Sequence, residues 1–141
     1  MKIMAIDYGD AHTGVAVSDR TGTLCGFSTV VNAHRPEAVV ERLQALIAEH
    51  EVTELVLGHP INMDGTRGPR AEKAEAFAEA LRAATGLPVT LWDERRTTID
   101  AHNILANNGK RAKERKKTVD AVAAALLLEG YLTYKKRNDF T

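Results

Sequence analysis

The first strand limits most strongly how this chain can fold. Residues Lys2–Tyr8 are almost continuously apolar, with Ile3 and Ala5 on one side and Met4 and Ile6 on the other. Because successive side chains of a strand point to opposite faces, this run predicts an internal strand that is covered on both sides. A chain that begins in this way needs helices above and below one sheet.

Turn residues and apolar periodicity divide the rest of the chain into alternating elements. Two more short strands predict an antiparallel meander with the first, and two later strands are each entered through a helix. The expected strands are Lys2–Tyr8, Val15–Ser18, Leu24–Val31, Leu55–Gly58 and Val89–Trp92. The expected helices begin at Pro36, Pro69, Thr98 and Thr118. The second is expected to stop at Gly86, and the side chains expected to face inward are Ala74, Phe77, Ala78 and Leu81 in the second helix and Val122, Ala123, Leu126 and Leu127 in the last. This order predicts an α/β fold with a five-stranded mixed sheet, a three-strand antiparallel meander plus two parallel strands, and helices on both faces.

Composition favours one globular, cytoplasmic domain. The chain has 141 residues, of which 44% are hydrophobic and 27% are charged, so we expect a single domain over residues 1–141. The apolar stretches are too short to cross a bilayer, and the first residues lack the features of a signal peptide. The single cysteine, Cys25, excludes an internal disulfide and makes the cytoplasm the default location.

Charge is balanced overall but unevenly distributed. Residues 1–109 hold ten Lys/Arg against fifteen Asp/Glu, whereas residues 110–141 hold nine against four. Most of the basic excess lies in Lys110, Arg111, Lys113, Arg115, Lys116 and Lys117. Such a run is often only a solvated loop. Its position just before an acidic residue also suits contact with a polyanion such as nucleic acid.

Three carboxylates stand where a fold of this kind could gather them at one end of the sheet. Asp7 ends the first strand, Glu94 follows the fifth, and Asp120 begins the last helix. Three converging acids would repel one another unless divalent metal neutralised them. The pattern therefore predicts a metal site that carries out chemistry.

Each acid also has a structural interpretation. Asp7 could form an Asx-turn, and Asp120 could be favoured by the dipole of its helix. Glu94 could pair with a neighbouring arginine, and Asp93 competes with it because adjacent strand residues face opposite ways.

Six segments in order along the chain resemble one family. They are Asp7-Tyr8-Gly9, Gly14–Asp19, Gly58-His59-Pro60, Met63–Gly68, Asp93–Thr98 and Val119–Ala124. Together they closely resemble the YqgF family, described as Holliday junction resolvases or pre-16S rRNA nucleases, within the RNase-H-like superfamily. The resemblance implies an RNase-H-like fold in which Asp7, Glu94 and Asp120 are catalytic and bind Mg²⁺ or Mn²⁺, with the strand before Glu94 next to the first strand.

The resemblance also implies contacts to the substrate. It assigns Arg95, Arg96 and Thr97 to the phosphate backbone, and it places Asn62, Thr66 and Arg67 in a loop beside the active site. A helix cap explains the threonine equally well, and a plain turn explains Asp64-Gly65. His12 stands in a turn where family members often carry a basic residue. His34, His50, His59 and His102 lack the spacing of metal ligands and are interpreted as surface or loop residues.

The leading hypothesis is a metal-dependent endonuclease that acts on structured RNA. Family resemblance favours maturation of the 5′ end of pre-16S rRNA, and cleavage of branched DNA is the nearest variant. A non-catalytic nucleic-acid-binding or interaction module is a further alternative. A nucleotide-binding domain of the actin and sugar-kinase type would need two such domains, for which 141 residues leave no room. The sequence leaves open whether the protein is a monomer or a homodimer.

Overall fold

The computed structural model describes residues 2–22, 25–62, 64–93 and 112–139, and in the last of these ranges it describes the side chains of residues 121–136. The strands are β1 (Lys2–Asp7), β2 (His12–Ser18), β3 (Cys25–Asn32), β4 (Val52–His59) and β5 (Val89–Asp93). The helices are α1 (Pro36–His50), α2 (Pro69–Thr85) and α3 (Ala112–Asp139). The helix expected from Thr98 lies outside the described residues.

The five strands form one mixed sheet in the order β3-β2-β1-β4-β5. β1 pairs antiparallel with β2, and β2 with β3, whereas β1–β4 and β4–β5 are parallel pairs. This confirms the predicted meander with two parallel strands. One detail was wrong: β5 pairs with β4, so a whole strand separates it from β1.

Each face of the sheet carries its own apolar core. On one face, β1 contributes Met4 and Ile6 to a core that α1 and α2 complete with residues such as Leu43 and Phe77. On the other face, Ile3 and Ala5 pack with α3. The apolar run of β1 is therefore buried from both sides, as its sequence predicts. The α3 side of that second core consists of Ala124, Leu127, Leu128, Tyr131 and Leu132.

Proline and glycine set the bounds of α2. Pro69 occupies the first turn, where a missing N–H costs nothing, and Gly86 follows the last residue with a φ of 70°. The expected start and end of this helix are both confirmed. The inward side chains predicted for it, Ala74, Phe77, Ala78 and Leu81, are all buried.

Several element boundaries differ from the sequence prediction, among them the start of β4, which is Val52 and not Leu55. β2 begins at His12, three residues earlier than expected, because its pairing with β3 extends to Asn32. α3 begins at Ala112 and not at Thr118. Lysine, arginine and glutamate are good helix formers, so a basic run can continue a helix as readily as it can form a loop.

The phase of α3 was also only partly predicted. Leu127 is buried as expected, but Val122, Ala123 and Leu126 are half-buried, and Leu128 and neighbouring positions fill the core instead. A stretch that is apolar on every side does not indicate by periodicity which side faces the sheet. Among the described residues, no helix is long and apolar enough to cross a membrane.

Candidate active site at the carboxyl edge of the sheet

Asp7 is the last residue of the central strand and lies half-buried directly opposite Gly14 of β2. Strand alternation places it on the same face as Ile3 and Ala5, which is the face that α3 covers. On the other neighbour of β1, Leu57 pairs with Ile6, so the next residue beside Asp7 is Gly58. The carboxylate is thus flanked by two strand positions without side chains, a pattern typical of sites where a ligand approaches closely.

The turn after Asp7 is held in place by packing and one hydrogen bond. The Gly9 amide donates to Oγ1 of the buried Thr13 at 3.4 Å. A Cβ atom on residue 9 would lie 2.3 Å from the carbonyl oxygen of His12, so this turn accepts only glycine without rearrangement. The backbone that carries Asp7 is therefore fixed on both sides.

His12 is part of the sheet and not of the turn. Its Nδ1 lies 2.6 Å from Oδ1 of Asn32, the residue opposite it in β3. The family's basic residue in this turn is thus replaced here by a side chain that already has a partner. The expectation that His12 sits in the turn was wrong.

The fifth strand ends beside β4, with Asp93 opposite His59. Trp92 packs on the face that α3 covers, whereas Val89 belongs to the opposite core. Asp93 lies four residues after Val89 in the same strand, so it is on the same face as Val89. Glu94 lies outside the described residues, as do Arg95, Arg96 and Thr97.

The direction of α3 follows from contacts near its C-terminal end. Lys135 and Tyr131 both bond to Glu54, which pairs with Ile3 near the start of β1. Burial raises the pKa of Cys25, the first residue of β3, and the nearby charge of Glu129 adds to that rise. This end of α3 is therefore anchored at the amino edge of the sheet.

Asp120 belongs to the opposite half of α3. It lies eleven residues before Tyr131, which corresponds to about 16 Å of helix. Asp7 lies four residues beyond Ile3, or about 13 Å along β1. The helix therefore has the reach to bring the backbone of Asp120 level with the end of the central strand.

Part of the basic run lies in α3, and the rest lies outside the described residues. Four of its bases belong to the first turns of α3, at positions where the backbone alone is described: Lys113, Arg115, Lys116 and Lys117. Lys110 and Arg111 lie outside the described residues. The helical bases precede Asp120 on the same element, so they lie toward the carboxyl edge of the sheet.

The loop after β4 is organised by its own side chains. Asp64 Oδ1 accepts hydrogen bonds from the Thr66 amide at 2.9 Å and from the Thr66 hydroxyl at 2.6 Å. Asn62 Nδ2 donates to Thr66 Oγ1 at 3.0 Å, and Gly65 takes a φ of 88° in the tight turn. These bonds from Thr66 hold the pKa of Asp64 below its usual value. The two predicted substrate contacts, Asn62 and Thr66, therefore also shape the loop.

Glu75 of α2 ties this loop to the sheet. Its carboxylate accepts from Arg67 Nε at 2.8 Å and lies 2.6 Å from Nε2 of His59, the last residue of β4. The hydrogen bond from Arg67, followed by that from His59, lowers the pKa of Glu75 from 4.5 to about 2. The interpretation of His59 as a surface or loop residue was wrong, because its side chain is only 15% exposed. No sequence pattern indicated this pairing, since the three residues belong to three different elements.

A family model covers almost the whole of this chain. The model for RuvX, described as "Holliday junction resolvase", matches residues 1–134. This chain belongs to the RuvX family. YqgF is the other name of that family, so the resemblance drawn from six segments is confirmed.

Similar curated proteins share nearly their full length with this RuvX member. A protein of Halothermothrix orenii named "Putative pre-16S rRNA nuclease" is 42% identical over 97% of this chain and 98% of its own length. A protein of the same name from Carboxydothermus hydrogenoformans is 41% identical over 98% of this chain and 100% of its own length. The family is one of nucleases, so this RuvX protein is a hydrolase.

Solved structures support the RNase-H-like fold. "T. thermophilus RuvC in complex with Holliday junction substrate" matches with a TM-score of 0.62 and 16% identity, over 97% of this chain and 96% of that one. The Fowlpox virus resolvase bound to Holliday junction DNA matches with a TM-score of 0.59 and 10% identity, over 96% of this chain and 99% of that one. At such low identity these matches establish the fold alone.

The described side chains contain one of the three predicted metal ligands of this RuvX member. That ligand is Asp7, and within the described ranges no three histidine, cysteine, aspartate or glutamate side chains cluster so as to hold a metal ion. Asp7 suits a hard divalent cation by its chemistry, since a carboxylate beside two glycines offers an oxygen ligand and room for bound water. The donor type and the open strand positions fit such a cation.

Proposed function

We propose that this RuvX protein is a divalent-metal-dependent endonuclease that hydrolyses phosphodiester bonds in structured RNA and matures the 5′ end of pre-16S rRNA. The observation that carries the proposal is the placement of Asp7 at the carboxyl end of the central strand, on the face of α3, between two glycine positions. The names of its full-length relatives support the RNA substrate.

We propose Asp7, Glu94 and Asp120 as the residues that hold the metal. Nucleases of this fold generally use divalent ions, and Mg²⁺, with Mn²⁺ as a substitute, is the cation that carboxylate oxygens favour. One feature supports the set: α3 has the length to bring the backbone of Asp120 level with the end of β1, where Asp7 lies. When bound, such ions activate water and neutralise charge on the leaving oxygen.

The protein's own residues position the strand that is cut. The rigid turn at Gly9 fixes the backbone that presents Asp7, so the carboxylate need not reorganise when substrate arrives. The bases of early α3 would neutralise phosphates near the cut, and Arg95, Arg96 and Thr97 would contact the same backbone. Cleavage would leave a 5′-phosphate and a 3′-hydroxyl, as in the superfamily that the sequence resembles.

The loop of residues 62–68 would support the substrate from the side of β4. Because Asn62 and Thr66 are bonded within the loop, and Arg67 is bonded to Glu75, we propose that they keep the loop in one shape that the RNA meets. The Arg67 side chain is still 56% exposed and can contact a phosphate while it remains paired. We propose the cytoplasm as the location, since precursor rRNA is processed there in bacteria.

Cleavage of branched DNA is the second candidate. The description of the RuvX family favours it, and so does the fold shared with resolvases. A resolvase would be expected to work as a two-fold dimer that cuts both strands symmetrically, whereas an RNA-processing enzyme can act as a monomer.

The deciding experiment compares both substrates in one assay. Purified protein is incubated with Mg²⁺ or Mn²⁺ on a precursor 16S rRNA fragment and on a four-way DNA junction, and the product ends are mapped. We expect cleavage of the RNA near the mature 5′ end, with 5′-phosphate and 3′-hydroxyl termini. Cleavage of the junction alone would overturn the RNA assignment. Cleavage of neither substrate would favour a non-catalytic module.

A further inference from the structure

A cavity of about 300 Å³ opens at the carboxyl edge of β1, between the start of α1 and one stripe of α2. Its volume lies at the small end of the range for ligand sites. Tyr8 lines it and directly follows Asp7, but Tyr8 packs against the core of α1 and α2. The cavity and the catalytic carboxylate are therefore on opposite faces of the same strand end.

Aromatic rings line one side of the cavity, and small alanine side chains line the other. The rings of Tyr8 and Phe77 stack with centroids 4.0 Å apart and planes within 6°. Phe77 is only 3% exposed and supports the Tyr8 ring from behind, so Tyr8 supplies the ring face that a ligand can reach. Ala76 and Ala80 are one helical turn apart on α2 and are exposed, so their methyl groups leave the opening free. A planar aromatic ligand fits such a wall better than a branched aliphatic one does.

The polar side chains that line the cavity include the Lys73 ammonium, the Asp10 carboxylate and the His34 imidazole. Lys73 Nζ lies 3.3 Å from Asp10 Oδ1, and their side chains are 63% and 87% exposed. Such an exposed ion pair contributes little to stability, so both groups can turn toward a ligand. The carboxylate accepts hydrogen bonds from ring amino groups, and the ammonium attracts a phosphate.

We infer that this cavity binds an unpaired nucleobase of the substrate RNA close to the bond that is cut. The inference rests on the proposed function and adds a specificity site to it. Tyr8 lines the cavity and directly follows Asp7, so the bound base would lie near the scissile phosphate. An aromatic wall, an amino-group acceptor and a cation beside that strand end together match a nucleotide.

The first test measures nucleotide binding without cleavage. Adenosine 5′-monophosphate offers a broad ring, an amino group and a phosphate, whereas ribose 5-phosphate keeps the sugar and phosphate and lacks the base. Each is titrated into the wild-type protein, and amide NMR shifts of residues 9 and 73–80 are followed. We expect adenosine monophosphate to shift these resonances with an affinity at least about tenfold above that of ribose 5-phosphate.

Two variants fill the cavity and a third serves as control. Ala76→Phe and Ala80→Phe place a ring in the opening, and we expect each to weaken adenosine monophosphate binding at least about tenfold. Ala83→Phe adds the same ring at an exposed position of α2 that does not line the cavity, and it should bind like wild type. Thermal unfolding of all three checks that the helix still folds.

Cleavage assays separate this inference from the nuclease assignment. We expect Ala80→Phe to cut an RNA with unpaired nucleotides beside the site at least about tenfold more slowly than Ala83→Phe does. Two results would overturn the inference without affecting the nuclease assignment. One is equal affinity for adenosine monophosphate and ribose 5-phosphate, and the other is unchanged binding and cleavage in Ala80→Phe. A wild-type protein that binds adenosine monophosphate in the cavity but cuts no RNA would refute the nuclease and leave a nucleotide site.

Discussion

At the scale of single residues, the alternation of side chains along each strand decides which acids can lie on the same face of the sheet. Asp7 and Trp92 lie on the face of the sheet that α3 covers, whereas Asp93 lies on the other face. The choice of Glu94 over Asp93 came from family resemblance and stays a prediction, since Glu94 lies outside the described residues. A pair of matched substitutions can test that choice.

Asp7→Asn should abolish cleavage, with a loss of at least about a hundredfold, because an amide is a poor ligand for a hard cation. Without metal the variant should unfold at the same temperature or higher, since one of three mutually repelling charges is gone. Steady-state cleavage and thermal unfolding in chelator measure the two effects. Asp93→Asn is the control and should cleave like wild type. If Asp7→Asn also cleaves at the wild-type rate, the metal assignment fails.

Glu75→Gln tests the link between α2 and the loop. Its pKa is about 2 in the folded protein against an ordinary 4.5, so the charged carboxylate stabilises the fold above pH 4.5 and loses that effect as the pH falls through about 2. We expect the variant to melt below wild type at pH 7 and the difference to close between pH 4.5 and 2. A difference in melting temperature that stays constant over that range would show that Glu75 acts through shape and not charge.

Gly9→Ala tests the rigidity of the turn behind Asp7. The new methyl group would meet the His12 carbonyl at 2.3 Å, so the turn must shift, at a cost of about 1–3 kcal/mol. Gly68→Ala is a suitable control, because a Cβ there meets Asn62 at an ordinary 3.5 Å. Denaturant unfolding should show a lower free energy of unfolding for Gly9→Ala and an unchanged one for Gly68→Ala. Equal stability of the two variants would mean that the turn is not constrained.

At the scale of elements, α3 shows where sequence prediction reached its limit. The helix was expected, but its first six residues were expected to lie before it, in the basic run. Sequence alone does not distinguish a solvated charged helix from a charged loop, because neither one buries a stripe of apolar residues. The prediction of which side faces the sheet was also only partly right, since Ala and Leu occupy every side of the helix around residue 125.

The helical setting sharpens the expectation for the basic run. Lys116→Ala together with Lys117→Ala should weaken RNA binding and reduce the slope of log affinity against log salt by about 1 to 2. Lys136→Ala is the control, since it is exposed on the same helix at the amino edge of the sheet. Fluorescence anisotropy across a salt series measures both. An unchanged slope in the double variant would show that the run is only solvated surface.

At the scale of the whole molecule, the sheet was predictable because its signals are local. A two-sided apolar run, a helix start at Pro69 and a stop at Gly86 need no knowledge of distant residues. The Glu75 cluster and the cavity beside Tyr8 were not predictable, because each joins residues from separate elements. The gathering of three acids stays a prediction: the resemblance named its members, and the described residues place Asp7 alone of the three side chains.

Manganese binding tests that gathering most directly. Calorimetric titration of Mn²⁺ is compared for wild type, Asp7→Asn, Glu94→Gln and Asp120→Asn, with Asp93→Asn as control. If the three acids hold the same ions, each single variant should lose most of the affinity for Mn²⁺, and the control should bind like wild type. Variants that combine two of the three substitutions should then bind Mn²⁺ only slightly more weakly than the single variants do. Wild-type affinity in any one of the three variants would place that residue outside the site and contradict the account.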